Sequence, residues 1–542
     1  MNTNKWLPSF TAAPAGLVWQ SALATASALL WLLSVPPFSV GWLAWFAFAP
    51  LLYALCDNVR WTRAWWLGWL MGVLFTFFAA NWISYPMINF GGMPATVAYA
   101  VAFLFSAILA CFPALFAALQ AVLLNRLGVW ALACAPLIWT ATEFTRALIT
   151  GVTWNAVGIT QAKTFMVARL AQFGGVYLLS ALIVAASALL VLFTKTSKPH
   201  ARRAASALLL FGALSFWLPV TQQRPANSNS TTVNVLGVQP NIPVDIQLGD
   251  TARYLLKTIQ LTRTGAAQAP ASNRPDLIVW AECPLTLFYE QEEDTRARLN
   301  NLAQETNAHL IVNTAGRNDA GHYFNSAATI TPRGEALQRY DKMRLMPFGE
   351  YVPLRWLLGR FVPPMIGDFA PGKTAVVNTL RLETQRERVA SAEVEGIERT
   401  TSFVRTGTFI CYEAAFPDYV RRYVQQGATL LVNISEDGWY GTTAQNEQHL
   451  WHTLMRAIET DRDIVRVTNT GISALLTADG RIVDAMPRAQ EATQRWQAHT
   501  HNGQTFYVRY GDWFAWVCVA LSILFLAFGL FIKKDAAAHA VG

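Results

Sequence analysis

The sequence predicts a polytopic α-helical membrane domain joined to one α/β domain outside the bilayer, and three observations carry that expectation. Hydrophobic residues make up 53% of the 542-residue chain and charged residues only 14%, too apolar for an ordinary soluble protein of this length. The apolar residues are segregated: long uncharged runs fill residues 1–220 and return at 512–532, while 221–511 has mixed composition. Within the mixed part, short β-branched runs alternate with helix-compatible stretches, the pattern of buried strands covered by helices.

A helix needs about 20 apolar residues to cross a hydrocarbon core of roughly 30 Å. Runs of that kind lie near 17–35, 39–56, 65–84, 96–120, 129–148, 172–194, 204–220 and 512–532, which predicts eight transmembrane helices. The fourth run is long and contains Pro113, so a kink or tilt is expected there. The first run follows Lys5 but lacks a short apolar stretch with a small-residue cleavage site, so it reads as a span and not as a removed signal peptide. Three regions follow: a seven-helix domain at 1–220, an extramembrane domain at 221–511, and an eighth helix with its tail at 512–542.

Orientation comes from the basic residues. Arg60 and Arg63 follow the second run, Arg126 the fourth, Lys195, Lys198, Arg202 and Arg203 the sixth, and Lys533 and Lys534 the eighth. The connections after the first and third runs have none, and only Lys163 and Arg169 break the alternation. Both termini are therefore expected to be cytoplasmic, with 221–511 on the opposite side. The formal charge of +8 belongs largely to this collar, so it speaks for topology and against a nucleic-acid partner.

In the extramembrane part, 221–230 reads as a polar linker. Strand-like runs follow at 232–239, 276–282, 309–316, 326–332, 407–413, 429–435, 464–470 and 472–483, with helix-compatible stretches at 292–306, 414–427 and 443–462. The charged stretch 381–403 reads as a solvated loop or insertion. Three strand ends carry reactive side chains: Glu282 after DLIVWA, Lys342 and Glu350 in RYDKMRLMPFGEYVP, and Cys411, Tyr412 and Glu413 in GTFICYE. A thiol nucleophile needs a base, and the oxyanion it creates needs a cation. On residue type alone, Cys411 is open to a disulfide with Cys283, the only other cysteine of this region, or to simple burial.

The ordered set WAE, YDKMRLMPFGEYVP, FICYE and NISEDGWYG resembles the nitrilase superfamily, whose members use a Glu-Lys-Cys triad on an αββα sandwich. Its fusion to seven preceding spans and one following span resembles the bacterial apolipoprotein N-acyltransferase family, as do GWLAWFAFAPLL, LIWTATEFTRALITGVTWNAVG and RAIETDRDIVRVTNTGIS. The resemblance implies Glu282 as general base, Lys342 as oxyanion stabiliser and Cys411 as nucleophile, with Glu350, Glu413 and Tyr412 in support and neither cofactor nor metal. It implies a phospholipid acyl donor, a diacylglyceryl-apolipoprotein acceptor, and a bacterial inner membrane with a periplasmic catalytic domain. The chain has Ala281 and Cys283 around the base, where the family often has proline before it.

Other features bear on substrate access. Residues 351–369 mix Trp356, Phe361 and other apolar groups with Arg355 and Arg360, which suits a lipid gate dipping into the interface and equally a loop packed on its own domain. Glu143 and Arg146 share one helix face and fit either a headgroup contact or a structural pair. His449 and His452 share a face without an evident third ligand, so no metal is expected. The alternatives are a membrane-tethered nitrilase-type amidase or hydrolase and a non-catalytic membrane platform.

Overall fold

A computed structural model of the chain describes residues 14–196, 199, 202–203, 206, 230–245, 250–270, 273–282, 287–352, 355–358, 368–382 and 401–531. The expected span at 204–220 (apart from residue 206), the linker at 221–229, Cys283, Phe361 and residues 383–400 lie outside the described residues.

The N-terminal region is built of apolar helices. Among the described residues, five helical segments are long and apolar enough to cross a bilayer: Gly16–Ser34, Trp61–Asn89, Ala95–Thr150, Ala171–Lys195 and Trp513–Phe531. The expected second span is different. Residues 41–55 form a 3-10 helix, Gly41–Phe46, followed by a short α-helix, Ala49–Leu55, with proline in its first turn. The long fourth run divides into Ala95–Leu109 and Cys111–Leu127, because Pro113 cannot donate to the carbonyl four residues back. Small residues let the helices meet closely: a Cβ on Gly68 would lie 2.4 Å from the Pro113 carbonyl oxygen. A stacked Trp31–Phe75 pair and an edge-on Phe48–Trp139 pair fill the bundle centre.

The two ends of the bundle differ. At one end Lys195 pairs with Asp57 at 2.8 Å, and Asn125 donates to the Val59 carbonyl. At the other, the segments around Trp82, Trp154 and Val176 meet the α/β domain.

That domain holds two six-stranded sheets. The first has the order β12-β1-β2-β3-β4-β5, with β1 Thr232–Gln239, β2 Leu277–Trp280, β3 His309–Arg317, β4 Tyr323–Ile330, β5 Tyr340–Asp341 and β12 Ala492–His499. The second has the order β11-β10-β9-β8-β7-β6, with β6 Val377–Leu382, β7 Ser402–Ile410, β8 Leu430–Ser435, β9 Ile464–Thr468, β10 Ala474–Leu476 and β11 Ile482–Val483. Strands β1 to β3 and β7 to β9 are parallel. Val233, Val235, Leu277 and Val279 face the second sheet, while Leu236, Val238, Ile278 and Trp280 pack with Leu255, Ile259, Leu299 and Leu302 from two covering helices, Thr251–Ala267 and Glu293–Thr306. Burial on both faces explains the near-continuous apolar strands.

Three strands escape the sequence pattern. β5 has two residues, and β6 and β12 lie at or next to sheet edges with alternating polar positions. The ends of the charged stretch 381–403 are therefore not loop: Arg381–Leu382 closes β6 and Ser402–Phe403 opens β7, paired antiparallel. On the outer face of the second sheet, helix Gln445–Thr460 is buried at every position except Glu447, because it lies between the sheet and the membrane helices.

Candidate active site

Strands β2, β5 and β7 deliver reactive side chains to one end of the sandwich, at their carboxyl ends. Glu282 lies two residues beyond β2, Lys342 directly follows β5, and Cys411 directly follows β7. Cys411 is a free, half-buried thiol whose backbone adopts φ +50°. A non-glycine residue in that region costs about 1–3 kcal/mol and persists only where its surroundings impose it. Here Glu413 accepts from the Ile410 N–H at 2.8 Å, and His449 Nε2 lies 3.0 Å from the Cys411 carbonyl oxygen.

Glu413 is fully buried and has a second task. It accepts from the backbone N–H groups of Met343 at 2.7 Å and Arg344 at 3.0 Å, and from the Tyr340 hydroxyl at 2.6 Å. It thus ties the segment carrying Lys342 to the turn carrying Cys411. Burial pushes its carboxyl above the ordinary range, and these donors pull it back.

Lys342 is 1% exposed and lies between two carboxylates, 3.3 Å from Glu282 Oε1 and 2.9 Å from Glu350 Oε1. Asn325 spans the same two acids, its amide nitrogen 2.7 Å from Glu282 and 2.6 Å from Glu350. Glu350 also accepts from Met346 N–H, and Glu282 from Glu436 N–H. Burial works to lower the Lys342 pKa, but the two carboxylates override it and hold the ammonium well above its usual value. The Cys411 thiol moves up, through burial first and the Glu282 charge second, with Lys342 and Ser435 opposing. It therefore rests protonated, and any chemistry at this sulfur would begin with loss of that proton.

A second buried network lies beneath the thiol turn. Arg466 donates to Asp437 at 2.7 Å, Asp437 lies 2.8 Å from His449 Nδ1, and His449 reaches the Cys411 carbonyl. Cys411, Asp437 and His449 thus present ligand-type atoms within 4.8 Å of one another, a neighbourhood the sequence spacing does not reveal. Each is engaged otherwise: burial opposes the Asp437 charge, but Arg466 and His449 hold that carboxyl far below the usual range, and both imidazole nitrogens already have partners. His452 lies elsewhere, accepting from Asn155 N–H at 3.3 Å. Nor was Glu436 singled out in the sequence; burial lifts its pKa to about 8 while Gly438 and Asn469 donate to it.

Gln448, next to His449, joins the site to the membrane helices. Its side-chain oxygen accepts from Trp82 Nε1, Trp154 Nε1 and Asn155, and its nitrogen donates to the Pro36 and Ala79 carbonyls. Trp82, Trp154, Tyr412, Ala415 and Phe416 form one apolar cluster, and Cys411 packs against it. Glu143 and Arg146 brace the same loop: Glu143 accepts from Val157 N–H, and Arg146 donates to the Trp154 carbonyl. Trp356 projects from a short helical turn, Arg355–Leu358, and is 82% exposed, with Arg355 paired to Asp368.

Comparison with known proteins follows this division. Residues 27–189 match the family model described as apolipoprotein N-acyltransferase N-terminal domain, and residues 238–495 match carbon-nitrogen hydrolase. The chain is 32% identical over 525 residues to the apolipoprotein N-acyltransferase of Geobacter metallireducens, covering 95% of each chain. It is 31% identical over 506 residues to that of Pseudomonas aeruginosa, covering 91% of this chain and 92% of the relative. Among solved structures, a nitrilase-superfamily amidase from Nesterenkonia aligns with 52% of this chain and 95% of its own, at 16% identity and a TM-score of 0.36. Both halves of the family are thus present in one chain, in order and at nearly full length, and the chain belongs to the apolipoprotein N-acyltransferase family.

Proposed function

We propose that Cys411 takes the sn-1 acyl chain of a phospholipid as a thioester and passes it to the α-amino group of a diacylglyceryl-cysteine at the N-terminus of an apolipoprotein. In the first half-reaction, Glu282 accepts the Sγ proton as sulfur attacks the ester carbonyl. The oxyanion forms beside Lys342 Nζ. Collapse expels the lysophospholipid alkoxide, which takes the proton back from Glu282. In the second, the amine attacks the thioester, Glu282 accepts the amine proton, and collapse leaves an amide while the departing sulfur regains a proton. Loss of one such oxyanion donor typically costs about 2.7–4 kcal/mol of barrier. Glu350 and Asn325 align Lys342, and Glu413 aligns both Lys342 and the thiol turn.

One observation carries the reading beyond a tethered amidase. Cys411 packs against an apolar cluster to which the N-terminal membrane region contributes Trp82 and Trp154, which suits an acyl chain and disfavours water at the thioester. Fixing the site to the bilayer spares both lipid substrates extraction, at about 0.8 kcal/mol per CH₂.

The finer topology belongs to the same proposal: eight membrane passages, with 41–55 passing as two short helical pieces and 204–220 as a span, domain limits at 220 and 511, both termini cytoplasmic, and a periplasmic catalytic domain at the inner membrane. It is supported by the basic collar and by the Lys195–Asp57 end of the bundle lying opposite the α/β domain. Trp356 acts in this scheme as an interfacial gate, with Phe361 as its sequence-based companion. The test is peptide mass spectrometry after incubation with phosphatidylethanolamine: an acyl thioester on Cys411, discharged by a diacylglyceryl peptide, is expected. Discharge to water alone would favour the hydrolase.

A further inference from the structure

Arg344 is the cation that the chemistry above leaves without work. It lies two residues beyond Lys342, half-buried, with its backbone N–H fixed on Glu413. Neighbouring cations are engaged: Lys342 by Glu282 and Glu350, Arg339 by Glu290 and Asp341, Arg355 by Asp368, and Arg146 by the Trp154 carbonyl. Among the described residues, no carboxylate or carbonyl meets the Arg344 guanidinium; it lies over the Phe416 ring at 4.9 Å.

Its depth in the molecule is fixed by Gly151. This residue ends helix Ala135–Thr150 in the left-handed conformation, φ +67°, and a Cβ there would lie 2.2 Å from Arg344 Nη2. The turn just before it exposes Leu148 at 55% and Ile149 at 72%, side chains that belong in hydrocarbon. Gly151 thus ends a segment long and apolar enough to cross a bilayer, which places the Arg344 guanidinium, without a carboxylate or carbonyl partner among the described residues, beside the end of that segment. From there a buried aromatic cluster runs on to the thiol turn. Phe416 packs on Tyr412 at 4.9 Å, Tyr412 stacks toward Trp154, and Cys411 adjoins the same cluster. Burial lifts the Tyr412 phenol to about 12 while the Arg344 charge pulls the other way, so the cation acts on the residue next to the nucleophile.

We infer that Arg344 binds the phosphodiester of the phospholipid donor, holding its glyceryl ester over the aromatic cluster toward Cys411. The inference rests on the acyl-transfer reading and deepens it. A planar guanidinium presents two parallel N–H groups to a phosphate, a geometry that confers position as well as affinity. The acceptor's diacylglyceryl group carries no phosphate, so Arg344 serves the first half-reaction and not the second.

The full-length protein in detergent tests this with two donors, phosphatidylethanolamine and p-nitrophenyl palmitate, which lacks a phosphate. Acylation of Cys411 is followed by intact-protein mass spectrometry. Arg344→Gln should raise KM for the phospholipid about 10- to 100-fold, the worth of a charge-assisted hydrogen bond, and move the p-nitrophenyl ester far less. Arg344→Lys should fall between. Transfer from preformed acyl-enzyme to a diacylglyceryl peptide should keep its rate. Inorganic phosphate should not compete; competition at millimolar concentration would overturn the lipid assignment in favour of a soluble anion. Equal loss with both donors, or no loss with either, would overturn the inference. If the wild-type chain accepts no acyl group from phospholipid, the failure lies with the acyl-transfer reading itself.

Discussion

Replacing Asn325 with aspartate keeps the shape of the side chain and reverses its electrostatic role. Asn325 gives one N–H to each of two buried carboxylates, at 2.7 Å to Glu282 and 2.6 Å to Glu350. A carboxylate in its place would oppose each acid with about 6 kcal/mol at that separation and an effective dielectric of roughly 20. Two such contacts cannot be sustained, so the cluster of three acids takes up a proton. With that proton on the introduced carboxyl, one charge-assisted hydrogen bond survives and one is lost, about 1.5–3 kcal/mol, or roughly a 10- to 100-fold slower acylation of Cys411 at neutral pH.

The pH profile separates this from simple damage. In the wild type, Glu282 and Glu350 outweigh burial and keep Lys342 protonated well beyond the usual ammonium range, so its ionisation imposes no alkaline limb near neutrality. Asn325→Asp should acquire one, because the extra proton is lost as pH rises and repulsion then displaces Glu282 and Lys342. The assay is single-turnover thioester formation from phosphatidylethanolamine between pH 5 and 9. A uniform drop with an unchanged profile would refute coupling of the two carboxylates through Asn325.

Other perturbations follow from neighbouring contacts. Gln448→Leu strands two buried donors, Trp154 Nε1 and Asn155 Nδ2, and the Pro36 carbonyl at the junction with the membrane helices, while Trp82 Nε1 keeps the Ala79 carbonyl, and at about 1–3 kcal/mol for each unsatisfied group the apparent melting temperature should fall sharply; an unchanged melt would refute the bridging role. Glu436, lifted by burial to about 8, holds its proton more tightly folded than unfolded, so it contributes stability at low pH that is lost as pH rises toward 8. Glu436→Gln should flatten the loss of thermal stability between pH 5 and 8, and identical slopes would count against it. Trp356→Ser should slow acylation by vesicle lipid about tenfold, the equivalent of roughly 1.5 kcal/mol of apolar contact, and a wild-type rate would remove Trp356 from lipid access.

The α/β domain is legible in the sequence because its central strands are buried on both faces, so TVNVLGVQ, HLIVNTAG and TLLVNIS stand out as apolar runs. The strand ends bearing Glu282, Lys342 and Cys411 can be found for the same reason, since each directly follows or nearly follows such a run or its motif. Asn325, Asp437 and Arg466 cannot. They are ordinary polar residues in or beside strands, and their partners lie up to 43 positions away. Helix Gln445–Thr460 misleads in the opposite sense. QNEQHLWHTLMRAIET carries many polar residues, yet Gln448, His449 and His452 are buried because they meet polar groups of the membrane segments and the thiol turn. Composition reads 39–56 as a full span, but the chain forms two shorter helical pieces there, Gly41–Phe46 and Ala49–Leu55, with Pro50 in the first turn of the second.

The most direct measurement is intact-protein mass spectrometry of the wild type, Cys411→Ala and Glu282→Gln after exposure to phosphatidylethanolamine vesicles. One acyl chain should be added to the wild type, none to the alanine variant and far less to the glutamine variant, with the wild-type adduct removed by a diacylglyceryl peptide. An adduct that persists in Cys411→Ala, or a wild-type protein that stays unmodified while folded, would contradict transfer through this sulfur.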